Sequence, residues 1–328
     1  MPSDPIIALD VTRNGFVESH HRGSLVLLDV TGAVAVAAGD PNRPIMPRSS
    51  LKPVQAITMV ECGFPGRDGS LALAAASHDG EEMHVAGARS ILAAAGLDES
   101  ALQCPPDLPS GREAMLAHVR AGGGPLRICH NCSGKHAAML ATCVANGWDI
   151  ASYREVDHPL QVAIRAGIET ASGETIVATG VDGCGAPAHA LSLVGLARAF
   201  AALARAADET PAALVRDAMR AHPRLIGGTG RVVTELTAGV DGLLCKDGAE
   251  GVWGAALPDG RAFAVKVDDG GARALAPLLA AALCYWGLDS DVVRSWSAVG
   301  VLGGGVPVGA IGWSAALVDL LSLGDHLD

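Results

Sequence analysis

Residues 46–56 read Met-Pro-Arg-Ser-Ser-Leu-Lys-Pro-Val-Gln-Ala and mark the place where strand-like sequence gives way to helical sequence. Ser49 and Lys52 stand three residues apart, and at the first turn of a helix this spacing places both side chains on one face. Pro53 is compatible with a helix only in its opening turn. A hydroxyl and an amine so placed can form a nucleophile–base pair, provided that the amine is uncharged. Taken alone, the same spacing also describes a capping serine followed by a solvated lysine.

The segments on either side of this stretch differ in their periodicity. Residues 6–38 alternate apolar and polar residues in short runs and contain the hairpin signal Asn14-Gly15. From residue 49 to residue 221 helical patterns dominate, with one helix predicted at 50–61 and another at 188–207. The sequence therefore changes from a sheet to a long helical insertion.

Strand signals return after the helical part of the chain. They predict a hairpin at 251–267 and a final strand at 306–313. The order of sheet, helices and sheet predicts an α+β fold, in which an antiparallel sheet is flanked by helices and interrupted by a helical insertion. We expect a single catalytic unit over 1–328, with a sheet lobe formed by 1–48 and 222–328 and a helical lobe formed by 49–221.

Composition excludes several classes of partner and environment. The chain has 328 residues, of which 49% are hydrophobic and 18% charged, as in a folded globular protein. The formal net charge of −11 and the lack of Lys/Arg clusters argue against nucleic acid or an anionic membrane as a partner. The polar start of the sequence carries no signal segment, so we expect a cytoplasmic protein whose eight cysteines are thiols.

The densest polar run is Cys129-His-Asn-Cys132-Ser-Gly-Lys135-His136. It lacks the βαβ surroundings of a redox Cys-x-x-Cys motif and the glycine and Ser/Thr positions of a phosphate-binding loop. Together with Cys184, in Val181-Asp182-Gly183-Cys184-Gly185, it offers two thiols and a nitrogen ligand, which would suit a metal site with one open position. A glycine-rich loop with buried thiols is an equally good interpretation of these residues.

Two further segments offer polar groups. Ser77-His78-Asp79-Gly80-Glu81 can cap the helix that follows it, and it can also supply a second hydroxyl to a cleft. Lys266 lies within a predicted strand, where alternation places it on the same face as Ala264 and Asp268. It can be a solvated edge lysine. That is the more common role of a lysine in a strand, and the alternative is a cation that favours the uncharged form of Lys52 and aligns a serine hydroxyl.

Taken together, these motifs resemble the asparaginase II family, which is the rhizobial, thermolabile type of L-asparaginase. The resemblance follows chain order over nearly the whole sequence. The segments that carry it are Arg48-Ser49-x-x-Lys52-Pro53, Ser77-His78-x-Gly80-Glu81, His130-Asn131-Cys132-Ser133-Gly134-Lys135-His136, Asp182-Gly183-Cys184-Gly185 and Lys266-x-x-Asp269-Gly270.

The resemblance implies a fold related to serine β-lactamases and glutaminases and the hydrolysis of L-asparagine to L-aspartate and ammonia. It implies a catalytic set in which Ser49 is the nucleophile with Lys52 as its base, while Ser77 and Lys266 form a second Ser–Lys pair. It also implies a zinc ion and a homodimer. The implied zinc ligands are Cys132, Lys135 and Cys184, and the implied substrate-binding residues are Arg48, His78, Asn131 and Asp182.

Alternatives to this function remain open from the sequence. A glutaminase or another Ser–Lys amidohydrolase would use the same groups, because selection between side chains that differ by one methylene depends on the size of the pocket. A non-catalytic zinc- or amino-acid-binding protein could also keep the fold without turnover. Ammonia release from asparagine distinguishes these possibilities.

Overall fold

The structure, a computed structural model, describes residues 4–324, so the ends of the predicted sheet lobe at 1–3 and 325–328 lie outside it. The chain divides into two compact units. The first contains the residues up to Ser50, Leu191–Ala204 and the chain from Glu235 onward. The second contains Leu51–Ala190 and Arg205–Thr234.

Within residues 4–324, the first unit is built on one eight-stranded antiparallel sheet. The strands are β1 (Ile6–Arg13), β2 (Phe16–Leu28), β3 (Val34–Ala38), β6 (Leu244–Gly248), β7 (Val252–Ala256), β8 (Ala262–Val267), β9 (Val299–Gly303) and β10 (Val306–Trp313). They follow the order β6-β7-β8-β2-β1-β10-β9, and β3 pairs with β2. This arrangement confirms the antiparallel sheet of the predicted α+β class.

The glycine at position 23 does not interrupt β2. A Cβ at Gly23 would lie 2.5 Å from the carbonyl oxygen of Lys266, so the absence of a side chain lets β2 and β8 pair closely. A second close approach fixes the helix α7 (Leu193–Ala204) on this sheet, because a Cβ at Gly254 would lie 2.3 Å from the ring of Phe200. Small residues thus set the spacing between the sheet and its helix.

Three more helices belong to the first unit, and two of them pack on the sheet. They are α11 (Leu275–Tyr285), α12 (Asp291–Ser295) and α13 (Ala315–Leu321). The indole nitrogen of Trp313, at the end of β10, donates a 2.8 Å hydrogen bond to the carbonyl oxygen of Pro277 in α11. Ser314 Oγ accepts from the backbone N–H of Leu317 and caps α13, and it also donates to the carbonyl oxygen of Ile7 in β1.

The second unit is mainly helical and forms the predicted helical insertion. Its helices are α1 (Lys52–Glu61), α2 (Gly69–Ala74), α3 (Glu82–Ala94), α4 (Arg112–Arg120), α5 (Ser133–Asn146), α6 (Pro159–Ser172), α8 (Pro211–Ala221) and α9 (Pro223–Ile226), and α10 (Val232–Gly239) contains the boundary between the units. The helix predicted at 188–207 begins later, as α7, because Pro187–Ala190 forms strand β5 and pairs with β4 (Ala178–Val181). The structure confirms this helix over Leu193–Ala204. The prediction was wrong at the two ends, and at the start the reason is that the pairing of β5 with β4 is not visible in local periodicity.

Helix α5 lies at the centre of the second unit, and every residue from Ser133 to Cys143 is buried. A Cβ at Gly134 would lie 2.7 Å from the carbonyl oxygen of Leu73, so the first turn of α5 crosses α2 at backbone distance. The chain leaves α2 only three residues before Ser77. The crossing therefore brings the first turn of α5 beside the segment that carries Ser77.

Candidate functional site

Lys52 is the first residue of α1, and its side chain is buried in the second unit. Its Nζ donates to the carbonyl oxygen of Ala76 at 2.6 Å, to Ser77 Oγ at 2.9 Å and to Cys132 Sγ at 3.0 Å. None of these three acceptors is a carboxylate. One buried amine thus contacts both a hydroxyl and a thiol that the sequence places in the site.

The segment from Ser77 to Glu81 is held by hydrogen bonds from each of its backbone N–H groups. In chain order, the acceptors of these bonds are Ile226 O, Asn131 O, Gly227 O, His78 Nδ1 and His84 Nδ1. Gly80 has φ +75°, a left-handed conformation that favours glycine, and it turns the chain into α3. The Ser77 hydroxyl is therefore presented by a backbone whose donors are all satisfied.

His78 supports this segment from the interior. Its ring is fully buried and stacks on His84 with a centroid distance of 4.8 Å, and its Nε2 lies 3.1 Å from Ser133 Oγ. Burial, and next the neighbouring His84, hold the pKa of His78 well below its usual range, so the ring is neutral. Because Nδ1 accepts from Gly80 N–H, Nε2 donates to Ser133. A direct contact of His78 with substrate stays a prediction.

Cys132 and Cys184 form a buried pair of sulfurs beside Lys135. The mutual influence of the two sulfurs raises the pKa of Cys132 and lowers the pKa of Cys184. Lys135 Nζ donates to Cys184 Sγ at 3.3 Å. Burial acts to lower the pKa of Lys135, but the two sulfurs and Asp182 outweigh it, and the net shift is upward. The pair therefore holds a thiolate at Cys184 against an ammonium.

Asp182 and Asn131 lie at the edges of this pair. Asp182 closes a turn in which its carbonyl oxygen accepts from Gly185 N–H at 2.8 Å, and Gly185 has φ +85°. Asn131 Oδ1 accepts from Cys132 Sγ at 3.2 Å. The structure thus brings both predicted substrate-binding residues to the thiols, and their contact with substrate stays a prediction.

Two of the three implied zinc ligands are thiols, the ligand type that zinc prefers. Across residues 4–324 no group of three or more His, Cys, Asp or Glu side chains is arranged to hold a metal. The set formed by Cys132, Cys184 and Lys135 nevertheless offers two thiol sulfurs and an amine within contact of Cys184, and thiolates are preferred zinc ligands. These residues can take up zinc if the protons on Cys132 and Lys135 leave. Zinc binding itself stays a prediction.

Ser49 belongs to the first unit and precedes Lys52 by one turn. Arg48, directly before it, has φ +54°, a left-handed conformation that costs energy for a residue with a side chain. The Ser49 side chain is half-buried, and its hydroxyl makes no hydrogen bond to any residue between 4 and 324. Ser49 and Lys52 lie in one continuous helical run, because a 3-10 turn over Arg48–Leu51 leads directly into α1.

Lys266 lies in β8 of the first unit, and half of its side chain is buried. Its Nζ donates to two backbone carbonyls, those of Glu250 and Val267. Burial is the main cause that lowers the pKa of Lys266, while Asp268 and Glu250 oppose it. The predicted pair of Lys266 with Ser77 would join residues of the two units, and it stays a prediction.

Sequence reasoning missed a fully buried lysine in the first unit. Lys246, in β6, donates to the side chain of Asp247 at 2.5 Å and to its carbonyl oxygen at 2.7 Å. Gly248 points to the same face of the strand, and a Cβ there would lie 2.3 Å from the carbonyl oxygen of Pro47 and 3.2 Å from the backbone nitrogen of Ser50. Lys246 therefore leaves its strand on the face that carries the Ser49 turn. A lysine within the apolar run from Leu243 was the available signal.

Two solved structures are similar to this chain at low sequence identity. A beta-lactamase from Mycobacterium bovis is 15% identical, with a TM-score of 0.40, and the match covers 76% of this chain and 88% of that one. A beta-lactamase candidate from Bacteroides dorei is 12% identical, with a TM-score of 0.42, and the match covers 76% of this chain and 85% of that one. No curated protein matches the chain.

The sequence as a whole matches a family model. The model describes L-asparaginase II, and the match runs from residue 9 to residue 313. The matched range includes the turn at Arg48–Leu51, the segment from Ser77 to Glu81, the cysteines Cys132 and Cys184, and the lysines Lys246 and Lys266 of the sheet. The protein therefore belongs to the L-asparaginase II family and is an asparaginase-like amidohydrolase.

Proposed function

We propose that this protein is an L-asparaginase that hydrolyses the side-chain amide of L-asparagine through a serine acyl-enzyme. The observation that carries the proposal is the buried contact of 2.9 Å between Lys52 Nζ and Ser77 Oγ, beside the thiol pair. A lysine amine beside a serine hydroxyl is the arrangement that activates a nucleophile without histidine. The observed contact is with Ser77. We assign the nucleophile to Ser49, three residues before Lys52, from the family resemblance. Family membership supplies the amide substrate.

The reaction has two halves. In the first, uncharged Lys52 accepts the hydroxyl proton of Ser49, Ser49 Oγ bonds to the amide carbon, and the C–N bond breaks as the proton passes to the leaving ammonia. In the second, Lys52 takes a proton from water, the water oxygen bonds to the acyl carbon, and aspartate leaves as the Ser49 oxygen regains its proton. Backbone N–H groups near Ser49 would stabilise the oxyanion of each tetrahedral intermediate.

Ser77 and the sheet lysines complete this assignment. An uncharged Lys52 keeps two N–H groups, so it can still donate to Ser77 Oγ while its lone pair accepts the proton of Ser49. A second amine near Ser49 would offset the negative charge that develops there. Lys246 is better placed for this role than Lys266 on two grounds, its complete burial and its position on the strand face that carries the Ser49 turn.

Cys132, Lys135 and Cys184 would hold the zinc ion. When bound, the metal would supply a Lewis acid that binds and orients the amino acid, since a covalent serine route does not need a metal-bound nucleophile. Asp182 and Asn131, at the rim of the thiols, would contact the polar groups of the substrate. We also propose that the protein works as a cytoplasmic homodimer, which light scattering of the purified protein tests.

The decisive experiment measures ammonia release and the acylated residue together. Wild type, Ser49→Ala and Ser77→Ala are assayed with asparagine and glutamine, and each is then incubated with a reactive substrate analogue for intact-mass and peptide analysis. We expect an adduct on Ser49 in wild type and in Ser77→Ala, and none in Ser49→Ala. Substrate binding without ammonia from either amide would show a binding protein, and a preference for glutamine would show a glutaminase.

A further inference from the structure

Glu81 ends the segment that begins at Ser77, and its side chain reaches across to a loop formed by residues 226–231. Its Oε1 accepts from the backbone N–H of Thr229 at 2.5 Å. Its Oε2 accepts from the Thr229 hydroxyl at 3.1 Å and from the guanidinium of Arg224 at 3.3 Å. Three donors from one short stretch of chain thus converge on a single carboxylate.

The directions of these hydrogen bonds require an acceptor at position 81. A backbone N–H and a guanidinium can only donate, and the Thr229 hydroxyl, which accepts from Arg224 at 2.9 Å, has its own hydrogen left for the carboxylate. An ionised carboxylate has only acceptor sites, whereas an amide has one oxygen and an NH₂ group that can only donate. Glutamine in place of Glu81 would therefore set its NH₂ group against another donor.

The 226–231 loop also accepts two backbone hydrogen bonds from the segment that begins at Ser77. The N–H of Ser77 donates to the carbonyl oxygen of Ile226 at 3.0 Å, and the N–H of Asp79 donates to that of Gly227 at 2.7 Å. These two acceptors lie directly before Gly228-Thr229 in the chain. A displacement of the loop therefore moves the acceptors that hold the segment.

Gly228 makes this close approach of the loop possible. Its φ is +143°, and a Cβ there would lie 2.8 Å from Asp79 Oδ2 and 2.9 Å from Glu81 Oε1. Asp79 adds a second tie to the loop, because its carboxylate accepts from Arg231 Nη1 at 2.6 Å and its side chain is only 9% exposed. The loop is thus fixed to the segment by one carboxylate on each side of Gly80.

The buried amine of Lys52 depends on the same segment. Its Nζ donates to Ser77 Oγ and to the carbonyl oxygen of Ala76, the residue directly before Ser77. Because the two acceptors belong to consecutive residues, a shift of the backbone changes both contacts at once. Hydrogen bonds weaken steeply when their angle departs from the favoured range. The orientation of the amine is therefore set by the position of this segment.

We propose that Glu81 is a positioning residue for the serine–lysine reaction: its carboxylate holds the 226–231 loop, and the loop holds Ser77 on Lys52. The inference rests on the proposed function and adds to it the contacts that set the geometry of the second hydroxyl. Glu81 is also the N-cap residue of α3, which is a purely structural role. The experiments must separate these two roles.

The first experiment is a double-mutant cycle on ammonia release from asparagine. Glu81→Gln should lower kcat about tenfold and change KM by less than about twofold, because the reacting groups are misplaced while the groups that bind substrate remain. In the Ser77→Ala background the same substitution should lower kcat less than about threefold, since the hydroxyl through which Glu81 acts is absent. Equal losses in both backgrounds overturn the proposal.

Thr229 offers a milder pair of variants in case Glu81→Gln fails to fold. Thr229→Val removes the hydroxyl that bridges Arg224 and Glu81, and it should lower kcat about threefold, the typical worth of one such hydrogen bond. Thr229→Ser keeps the hydroxyl and should retain the kcat of wild type. Equal values of kcat in the two variants overturn the proposal.

Thr210→Ala controls for the loss of a helix cap. The Thr210 hydroxyl accepts from the N–H of Ala213 and caps α8, which belongs to the same unit. This variant should lower the urea midpoint as Glu81→Gln does but leave kcat unchanged. If kcat falls as far in Thr210→Ala as in Glu81→Gln, the effect is one of general stability and the positioning role is overturned.

Hydrogen exchange tests the geometry without reference to activity. The amides of Ser77 and Asp79 donate to the 226–231 loop, so Glu81→Gln should speed their exchange about tenfold relative to amides of α5, whereas Thr210→Ala should not. Unchanged relative exchange in Glu81→Gln overturns the proposal.

The outcomes distinguish the positioning role from the function on which it rests. If wild type releases ammonia and Glu81→Gln keeps its kcat, the positioning role is overturned while the proposed function stands. If wild type releases no ammonia, the proposed function falls, and the role of Glu81 in the reaction falls with it, even where hydrogen exchange shows that its carboxylate holds the loop.

Discussion

Each unit contains a lysine that is almost completely buried, and the two lysines differ in their partners. Lys52, 1% exposed, donates to a carbonyl, a hydroxyl and a thiol. Lys246, fully buried, donates to the carboxylate of Asp247. A carboxylate partner favours the charged form of a lysine. The buried amine without a carboxylate partner therefore lies in the helical unit, and the buried amine paired with a carboxylate lies in the sheet.

The most direct way to break this comparison is to remove the amine of Lys52. Lys52→Met keeps the length of the side chain and its burial but leaves no base for the serine hydroxyl. Loss of a general base typically costs about 10²- to 10⁴-fold in rate, and we expect about 10³-fold here. The measurement is steady-state ammonia release from asparagine.

Controls distinguish chemistry from folding in that variant. Circular dichroism and the urea midpoint of Lys52→Met should show a folded protein, and its substrate affinity should stay close to that of wild type. Activity within about threefold of wild type would contradict the assignment of Lys52 as the base.

The second prediction compares Lys246 in β6 with Lys266 in β8, two lysines on the same face of the sheet. Lys246→Met should reduce ammonia release about 10²-fold, because charge stabilisation near the reacting atoms is lost. Lys266→Met tests the residue chosen from the sequence, and its half-exposed amine, bonded to two carbonyls, predicts a much smaller loss. A larger loss of activity in Lys266→Met than in Lys246→Met would instead support the pairing of Lys266 with Ser77 that was predicted from the sequence.

The fold was largely predictable because its signals are local. The hairpin pair Asn14-Gly15 has φ +48° and φ +79° and joins β1 to β2, as expected of that dipeptide. Helix α1 begins at Lys52 with Pro53 in its first turn. The exceptions are β4, β5, β6 and β9, which were not predicted from the sequence. For β5, at Pro187–Ala190, the pairing with β4 depends on residues that periodicity within 188–207 does not contain.

The site was predictable only in part because burial is a non-local property. The resemblance gave Ser77, Lys52 and Cys132 as members of one site, and these three residues meet. The resemblance did not include Lys246, and a lysine in a strand is usually solvated and almost never fully buried unless paired. The segment that approaches this face of β6 at Gly248 contains Pro47, which lies almost 200 positions away in the chain.

The third prediction concerns the pH dependence of stability, which should differ between the two units. Burial is the main cause that lowers the pKa of His78, His84 and His189, all in the second unit. The unfolded chain binds protons near pH 6.5, whereas the folded rings bind them only at lower pH. Their contribution to stability is therefore full above about pH 6.5 and is lost as the pH falls, at up to about 1.4 kcal/mol per pH unit for each ring.

Hydrogen exchange at pH 7 and pH 5 measures this effect separately in each unit. The free energy of opening for amides of α2 and α5 should decrease at the lower pH more than that for amides of β2 and β8. His84→Gln removes one titrating ring and should reduce the difference. An equal decrease in both units, or a decrease only in the sheet, would contradict the assignment of the acid-sensitive groups to the helical unit.

The smallest expected effect comes from the crossing of α2 and α5. In Gly134→Ala, the added Cβ would meet the Leu73 carbonyl oxygen at 2.7 Å, and a backbone carbonyl cannot rotate away as a side chain can. Separating the helices should cost about 2 kcal/mol of the free energy of unfolding. It should also lower the activity, since Lys52 bridges the same two segments.

Two other glycines provide the controls. Gly254→Ala strains the sheet against the Phe200 ring and should lower stability without changing the kinetics of the folded protein. Gly124→Ala meets no atom within 4 Å and should change stability by less than about 0.5 kcal/mol. If Gly134→Ala lost stability but kept full activity, the contact between Lys52 and Cys132 would not require this crossing, and the link between helix packing and the site would have to be abandoned.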